Sequence, residues 1–172
     1  RGRVSNCLYM LFVLGQIVPF QTVMIAISIM ATKLHLTNTY LGLILFDGGF
    51  YIAFGVMTYV GFLKSVPKEL EEAAAIDGAG ALRIMMRIIY PLVKPTTVTL
   101  VILFFLWTWN DLVLPSIIIS DPDMRTITVN LYMFKSATSA HWNLLIAGLT
   151  LSMIPIILIY IFGQKYITNG LT

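Results

Sequence analysis

The sequence predicts an all-α, polytopic membrane protein with about four transmembrane helices and a charged helix-turn-helix between the second and the third. Hydrophobic residues make up 58% of the 172 residues and charged residues only 11%, against about 25% charged in an average soluble domain. The mean hydropathy is +0.87. Four apolar runs reach the roughly 20 residues that a membrane-crossing helix needs. They cover about 8–31, 40–63, 96–119 and 144–163.

These four runs are predicted to be helices because the lipid core offers no water to bond the backbone polar groups. The first run follows two arginines, as a secretory signal does, but it is too long for a signal and contains Gln16, Pro19 and Gln21. The two glutamines are placed to bond carbonyls that a kink at Pro19 would free. No stretch indicates a second soluble domain, so residues 1–172 are interpreted as one membrane domain.

The positions of the lysines and arginines predict the orientation, because these residues concentrate in cytoplasmic loops. With the N-terminus inside, the cytoplasmic set is Arg1, Arg3, Lys64, Lys68, Arg83, Arg87, Lys94 and Lys165. The outer set is then Lys33, Arg125 and Lys135. The sequence therefore predicts a cytoplasmic N-terminus and C-terminus, with 64–95 as a cytoplasmic loop.

This cytoplasmic loop is predicted to form two short helices joined by a glycine bend. Pro67 suits a first helical position, and the glutamates that follow it are stabilised by the positive end of the helix dipole. Gly78 allows the left-handed conformation that ends a helix. The second helix has one apolar face, and Pro91 and Pro95 are predicted to end it. The residues of that face are Leu82, Met85, Met86 and Ile89.

Two helices joined in this way suit docking into a groove of a partner protein. A loop that touches only lipid headgroups is the alternative. In the spans, pairs of small residues at helical spacing predict close helix packing, with a glycine-lined channel as the other interpretation. These residues are Gly42, Gly48, Gly49, Gly55, Gly148 and Ser152.

The loop sequence resembles the EAA loop of ATP-binding-cassette (ABC) importer permeases, whose pattern is E-A-A-x-x-D-G-A followed by I-x-L-P. Here it is Glu72-Ala73-Ala74-Ala75-Ile76-Asp77-Gly78-Ala79, then Ile88-Ile89-Tyr90-Pro91. Tyr90 replaces the usual leucine. Further segments resemble the carbohydrate (maltose-type) branch of these permeases. They are LTNTYLGLIL at 36–45, GFLKSVPKEL at 61–70, WTWND at 107–111, SDPDMRT at 120–126, and QKY at 164–166 followed by GLT at 170–172.

The resemblance implies a type I importer permease of the bacterial plasma membrane with six spans, of which this chain holds the last four. It implies a second permease subunit, a cytoplasmic ATPase dimer and an extracytoplasmic solute-binding protein as partners, besides membrane lipid and without nucleic acid. The sequence has no G-x-x-x-x-G-K-[ST] phosphate loop. ATP and Mg are therefore expected in the ATPase, with no cofactor on this chain. The solute is expected to be a sugar or oligosaccharide.

The resemblance also implies roles for individual residues. The ATPase-docking surface is expected to comprise Glu72, Ala73, Ala74, Asp77 and Gly78. Arg83 or Arg87 would pair with an acid on the ATPase or with lipid phosphate. Leu82, Met85, Met86 and Ile89 are expected to hold the loop against the cytoplasmic ends of the spans. A bulky residue at Gly78 is expected to leave the protein in the membrane but to uncouple transport from ATP hydrolysis.

Candidate pathway residues are Tyr51, Asn110 and Asp111, because polar groups inside a membrane are costly unless they are functional or paired. Asp47 is expected to pair with Lys33, to reach headgroup water or to serve the pathway. Aromatic residues in the spans suit sugar stacking or interfacial anchoring. They are Tyr51, Phe54, Trp107 and Trp109. His35 and His141 are far apart in outer loops, so no metal site is predicted.

Three alternatives remain open at this point. A related permease would carry a non-sugar solute such as a glycerol phosphodiester. A membrane-embedded enzyme would use Asp47 and Asp111 as an acid–base pair, although no nucleophile motif or metal-ligand spacing accompanies them, so no catalytic residue is assigned. A scaffold would recruit a cytosolic partner without transporting anything.

Overall fold

The structure, a computed structural model, describes residues 2–134 and 142–169, and 165–169 by their backbone only. The expectations for Arg1, Lys135, His141 and the 170–172 motif therefore lie outside the described residues, as does the side chain of Lys165. The described residues form α-helices with one π-helical turn and one 3-10 turn, and no strand. The elements are α1 Arg3–Ile17, α2 Phe20–Lys33, α3 Tyr40–Leu63, α4 Glu69–Ile76, α5 Ala81–Ile84, the π turn Met85–Ile89, α6 Tyr90–Asn110, α7 Val113–Ile118, the 3-10 turn Pro122–Met124, α8 Ile127–Met133 and α9 Trp142–Asn169.

Three described helices are long and apolar enough to cross a membrane, and a fourth span exists if α1 and α2 count as one. The first predicted span is broken: the axes of α1 and α2 meet at 100°. Val18 adopts an extended conformation, with φ −72° and ψ 116°, which is what proline favours in the residue before it. The expectation of one kinked helix over 8–31 is therefore wrong, because Pro19 separates two helices.

The second span, α3, occupies the predicted range. Its first turn is capped by Thr39, whose hydroxyl oxygen accepts the backbone N–H of Gly42 at 3.0 Å. Gly42 is buried, and a Cβ there would collide with the carbonyl oxygen of Leu36. Gly55 faces the Phe104 ring, whereas Gly48 and Gly49 have nothing within 4 Å of an added Cβ. Close packing thus explains Gly42 and Gly55 but not Gly48 or Gly49.

The third span differs from the predicted 96–119 at both ends. α5, the π turn and α6 form one 30-residue helix over Ala81–Asn110, so Pro91 and Pro95 do not end the second helix of the loop. Proline clashes with the carbonyl four residues earlier in a regular α-helix, and the wider π turn immediately before Pro91 changes that hydrogen-bonding pattern. The helix stops at Asn110, and the separate short helix α7 begins at Val113.

The buried core of the described residues lies where α2, α3 and α7 meet. It consists of Ile27, Ala31, Leu43, Phe46, Leu114, Ile118 and Ile119. Asn38 fastens the loop before α3 to this core: its backbone N–H donates to the Ile118 carbonyl at 2.8 Å. Its side-chain oxygen accepts the backbone N–H groups of Ser120 at 2.7 Å and Asp121 at 3.0 Å. The loop before α3 is therefore tied to the end of α7 and the segment that follows it.

The fourth span, α9, packs along α6 and α8. The Trp109 indole N–H of α6 donates to the Ser152 carbonyl at 3.1 Å. Gly148 lies directly against Leu131 of α8. The pair Gly148 and Ser152 thus marks a helix contact, as small residues at this spacing predict.

Candidate functional site

The loop at 64–95 has the glycine bend that the sequence predicts. Gly78 adopts φ +79°, in the left-handed region that glycine enters at no steric cost. The N–H of Ala79 donates to the Ala74 carbonyl at 2.9 Å, and the N–H of Gly78 donates to the Ala75 carbonyl at 3.1 Å. This pair of bonds is the Schellman motif that closes α4. The bend is confirmed, and it fixes the angle between α4 and α5.

Most of the predicted docking residues are exposed, with Ala74 half-buried. The exposed members are Glu72, Ala73, Asp77, Gly78, Arg83 and Arg87. Such exposure is what a docking surface requires, and the docking role itself stays a prediction. Ile76 was missed by the sequence interpretation, although it lies four residues after Glu72 on the same helix face. It is 86% exposed, so the described residues leave it uncovered.

Three of the four residues predicted to pack the second loop helix are not covered by the described spans, and their packing role stays a prediction. Leu82, Met85 and Met86 are 71%, 51% and 54% exposed, so they do not hold the loop against the described spans, and only Ile89 is half-buried. The physical reason is the length of the helix: at 1.5 Å per residue its 30 residues span about 45 Å. A bilayer core is only about 30 Å thick, so the first turns extend beyond the spans.

A second candidate site is a cavity of about 460 Å³ beside the break in the first span. It contains two of the three predicted pathway residues, Tyr51 and Asp111. Asn110 lines a different cavity of about 250 Å³, between α6, α8 and α9, and its side-chain amide donates to the Leu106 carbonyl at 2.7 Å. The structure therefore separates Asn110 from the other two.

Two carboxylates meet at the larger cavity. Asp47 is half-buried, lies next to the Tyr51 hydroxyl and interacts with the charge of Asp111. These neighbours replace the expected Lys33 pairing. The Tyr51 hydroxyl also accepts a hydrogen bond from Thr108 at 3.3 Å. Asp111 has a structural task as well, because its side-chain oxygen accepts the N–H of Val113 at 2.9 Å and caps α7.

Both glutamines of the first span line this cavity. Neither Gln16 nor Gln21 makes a side-chain hydrogen bond in the described part of the chain, so the expectation that they bond freed carbonyls is wrong. The corner at Pro19 instead places them in the lining of the same cavity as Asp47 and Asp111. The sequence signal for this grouping is the four-residue spacing from Asp47 to Tyr51, which places both on one helix face.

The aromatic candidates divide into two groups. Tyr51 and Phe54 surround Trp107, with ring centroids 5.6 Å and 5.0 Å from it. These three rings line the cavity, and Trp107 is 39% exposed. Trp109 lies elsewhere, stacked on Phe105 at 5.4 Å. The cavity thus combines aromatic faces with hydrogen-bonding groups, whereas Trp109 anchors one helix to another.

The chain is similar to known transport proteins over its full length. The family model for the inner membrane component of binding-protein-dependent transport systems matches residues 1–172. A probable starch degradation products transport system permease protein of Thermoanaerobacterium thermosulfurigenes is 39% identical, over 99% of this chain and 62% of the relative.

Two further relatives match to a similar extent. A multiple sugar-binding transport system permease protein of Streptococcus mutans is 37% identical over 100% of this chain and 62% of the relative. The melibiose/raffinose/stachyose import permease protein of Bacillus subtilis is 32% identical over 99% of this chain and 62% of the relative. The chain thus spans 62% of the length of these relatives. It belongs to the family of inner membrane components of binding-protein-dependent transport systems, which are transport subunits rather than enzymes.

Proposed function

We propose that this chain is part of a permease subunit of an ATP-driven ABC importer, and that the loop at 64–95 docks on the ATPase. The observation that carries this proposal is the exposed apolar surface of the loop. Ile76, Leu82, Met85 and Met86 are all more than half exposed. Exposed apolar side chains grouped in one polar segment are typical of protein–protein interfaces.

The charges of the loop suit the same partner. Arg83 and Arg87 are exposed beside the apolar residues, where they would pair with acidic groups on the ATPase, as the rims of interfaces commonly do. ATP and Mg would be held by the ATPase dimer. A second permease subunit would complete the pathway, and an extracytoplasmic solute-binding protein would deliver the solute. The N-terminus and C-terminus of this chain would face the cytoplasm of a bacterial cell.

The proposed solute is a sugar or an oligosaccharide. The names of the relatives support this class, since they refer to starch degradation products, multiple sugars and melibiose, raffinose or stachyose. Movement of the ATPase subunits would shift α5 and, through the continuous helix, α6. This coupling requires that the ATPase binds the loop differently in the inward-facing and outward-facing states.

Reconstitution of the complete permease tests the proposal. The complete protein is purified from bacterial membranes, its copurifying subunits are identified by mass spectrometry, and the complex is placed in liposomes with the solute-binding protein. We expect an ATPase and a second permease to copurify, and labelled maltose, melibiose or raffinose to accumulate only with hydrolysable ATP. A non-hydrolysable ATP analogue is the control. Absence of both a bound ATPase and ATP-driven uptake would contradict the proposal.

A further inference from the structure

The cavity beside the broken first span has a composition that no docking or packing role explains. Its lining brings together two carboxylates, two amides and a group of aromatic rings, with no lysine, arginine or histidine. The residues concerned are Gln16, Gln21, Asp47, Tyr51, Trp107 and Asp111. Its volume of about 460 Å³ falls within the range of small-molecule sites, about 300–1,000 Å³.

The helix break is an independent observation that points to the same place. Irregular backbone at membrane depth is tolerated where it is buried in protein or lines a water-filled cavity. Discontinuous helices in transporters often form the solute site for this reason. Here the 100° corner between α1 and α2 lies at Val18 and Pro19, and both residues line the cavity.

We propose that this cavity is a sugar subsite carried by this chain, with a sugar ring stacked on Trp107 and its hydroxyls bonded by Asp47, and that it rejects anionic solutes. The inference rests on the proposed function and deepens it. Trp107 supplies the aromatic face, since its ring is held by Tyr51 and Phe54 but stays 39% exposed. The side-chain amides of Gln16 and Gln21 provide further donors and acceptors for hydroxyls.

Asp47 is the residue that sets the specificity. A carboxylate without a cationic partner among the cavity residues accepts hydroxyl hydrogen bonds well, and hydrogen bonds to charged groups are the stronger ones. Asp111 is less available, because its side-chain oxygen already accepts the N–H groups of Val113 at 2.9 Å and Leu114 at 3.4 Å. Asp47 lies next to the Tyr51 hydroxyl instead.

The same two carboxylates make the site unfavourable for a phosphate or carboxylate group. An anionic solute would be repelled by these carboxylates in a partly desolvated cavity. This repulsion would favour binding of neutral solutes over anionic ones. The cavity therefore argues against a glycerol phosphodiester, which the sequence left open as a solute, and favours an uncharged sugar.

Equilibrium binding to the complete importer complex tests this site directly. The complex is placed in lipid nanodiscs without the solute-binding protein, and binding of labelled maltose and melibiose is measured against their anionic aldonates, maltobionate and melibionate. We expect the wild-type complex to bind the neutral sugars and to reject the aldonates. Asp47→Asn and Trp107→Leu should each weaken sugar binding about tenfold or more, and Asp47→Asn should also reduce the discrimination against aldonates.

Two matched variants control for charge and for loss of an indole. Asp123→Asn removes one carboxylate from an exposed outer turn, and Trp142→Leu removes an exposed tryptophan at the start of α9. Both should bind sugar as the wild type does. Normal sugar binding by Asp47→Asn and Trp107→Leu, or no sugar binding by a wild-type complex that transports sugar, overturns the subsite and leaves the proposed function standing. A wild-type complex that binds no ATPase and transports no sugar with ATP overturns the proposed function itself.

Discussion

A substitution at Gly78 tests the backbone conformation of the loop at 64–95 without creating a steric clash inside the described chain. The residue has φ +79°, and an added Cβ would have no atom within 4 Å. A side chain at Gly78 therefore meets no steric obstacle within the described chain, and its cost there comes from the backbone alone. The left-handed conformation costs an L-residue roughly 1–2 kcal/mol, and asparagine tolerates it best among the non-glycine residues.

The size of the effect follows from this backbone cost. A penalty of one or two kcal/mol lowers the ratio of the bent loop to other conformations by a factor of about 5–30. Valine is among the worst residues for this region because it is β-branched, and alanine lacks the local side-chain hydrogen bonding that helps asparagine. If the bend presents the docking surface, ATP-driven uptake should fall in the order glycine, asparagine, alanine, valine.

The assay is sugar uptake and ATP hydrolysis by the reconstituted complex, with the amount of permease in the membrane measured by immunoblotting. Gly78→Trp extends the series, because its bulk would obstruct a partner that approaches the loop closely. We expect it to insert normally but to uncouple transport from hydrolysis. Uptake by Gly78→Val that equals uptake by Gly78→Asn would refute the role of the bend, and normal coupled uptake by Gly78→Trp would refute close docking.

Three further predictions concern the hydrogen bonds of Asn38, the packing of α3 and the exposed face of the loop. Asn38→Ala should destabilise the solubilised protein by about 1–3 kcal/mol, seen as a lower Tm, because the Ser120 N–H loses its acceptor. Asn38→Asp keeps the accepting oxygen and should not lower the Tm. Equal losses of Tm in the two variants would contradict a stabilising role of these hydrogen bonds. Gly42→Ala should cost about 1–3 kcal/mol by overpacking, whereas Gly48→Ala enters open space and should not lower the Tm. Leu82→Asp should weaken ATPase binding in the purified complex about tenfold or more, whereas Leu82→Met should keep it; equal binding by both would count against an interface there.

The break in the first span shows where the sequence stops being informative. The run stays predominantly apolar on both sides of Pro19, despite Gln16 and Gln21, so its length predicts a single helix with a kink. Whether a proline bends a helix or ends it depends on the packing of the two halves. Here α2 packs on α7 and α1 packs on α3, and these contacts connect segments about 90 residues apart in the case of α2 and α7. Local pattern contains no signal for them.

The loop at 64–95 was also only partly predictable from the sequence. Its glycine bend was predictable, because Gly78 has a local conformational reason that no distant contact changes. The role of the apolar face was not, since a stripe such as Leu82 and Met86 has the same spacing whether it packs on its own protein or on another. The pattern predicts that the face is covered but not by what. The high exposure of these residues excludes the described spans as the cover.

One helix connects the two candidate sites, the loop at 64–95 and the cavity beside the broken first span. The helix over Ala81–Asn110 begins at the exposed loop and carries Trp107 near its other end, with Asp111 directly after its last residue. A displacement of the helix at Ala81 is therefore transmitted to the cavity along one hydrogen-bonded helix, as long as the π turn does not change its conformation. The half-buried Ile89, at the end of that turn, and the buried Val93, one turn further along, restrain the helix where it enters the spans. If the loop docks on an ATPase and the cavity holds a sugar, as proposed, a movement of the loop would pass through α5 and α6 and would displace the aromatic wall of the cavity relative to Asp47 on α3.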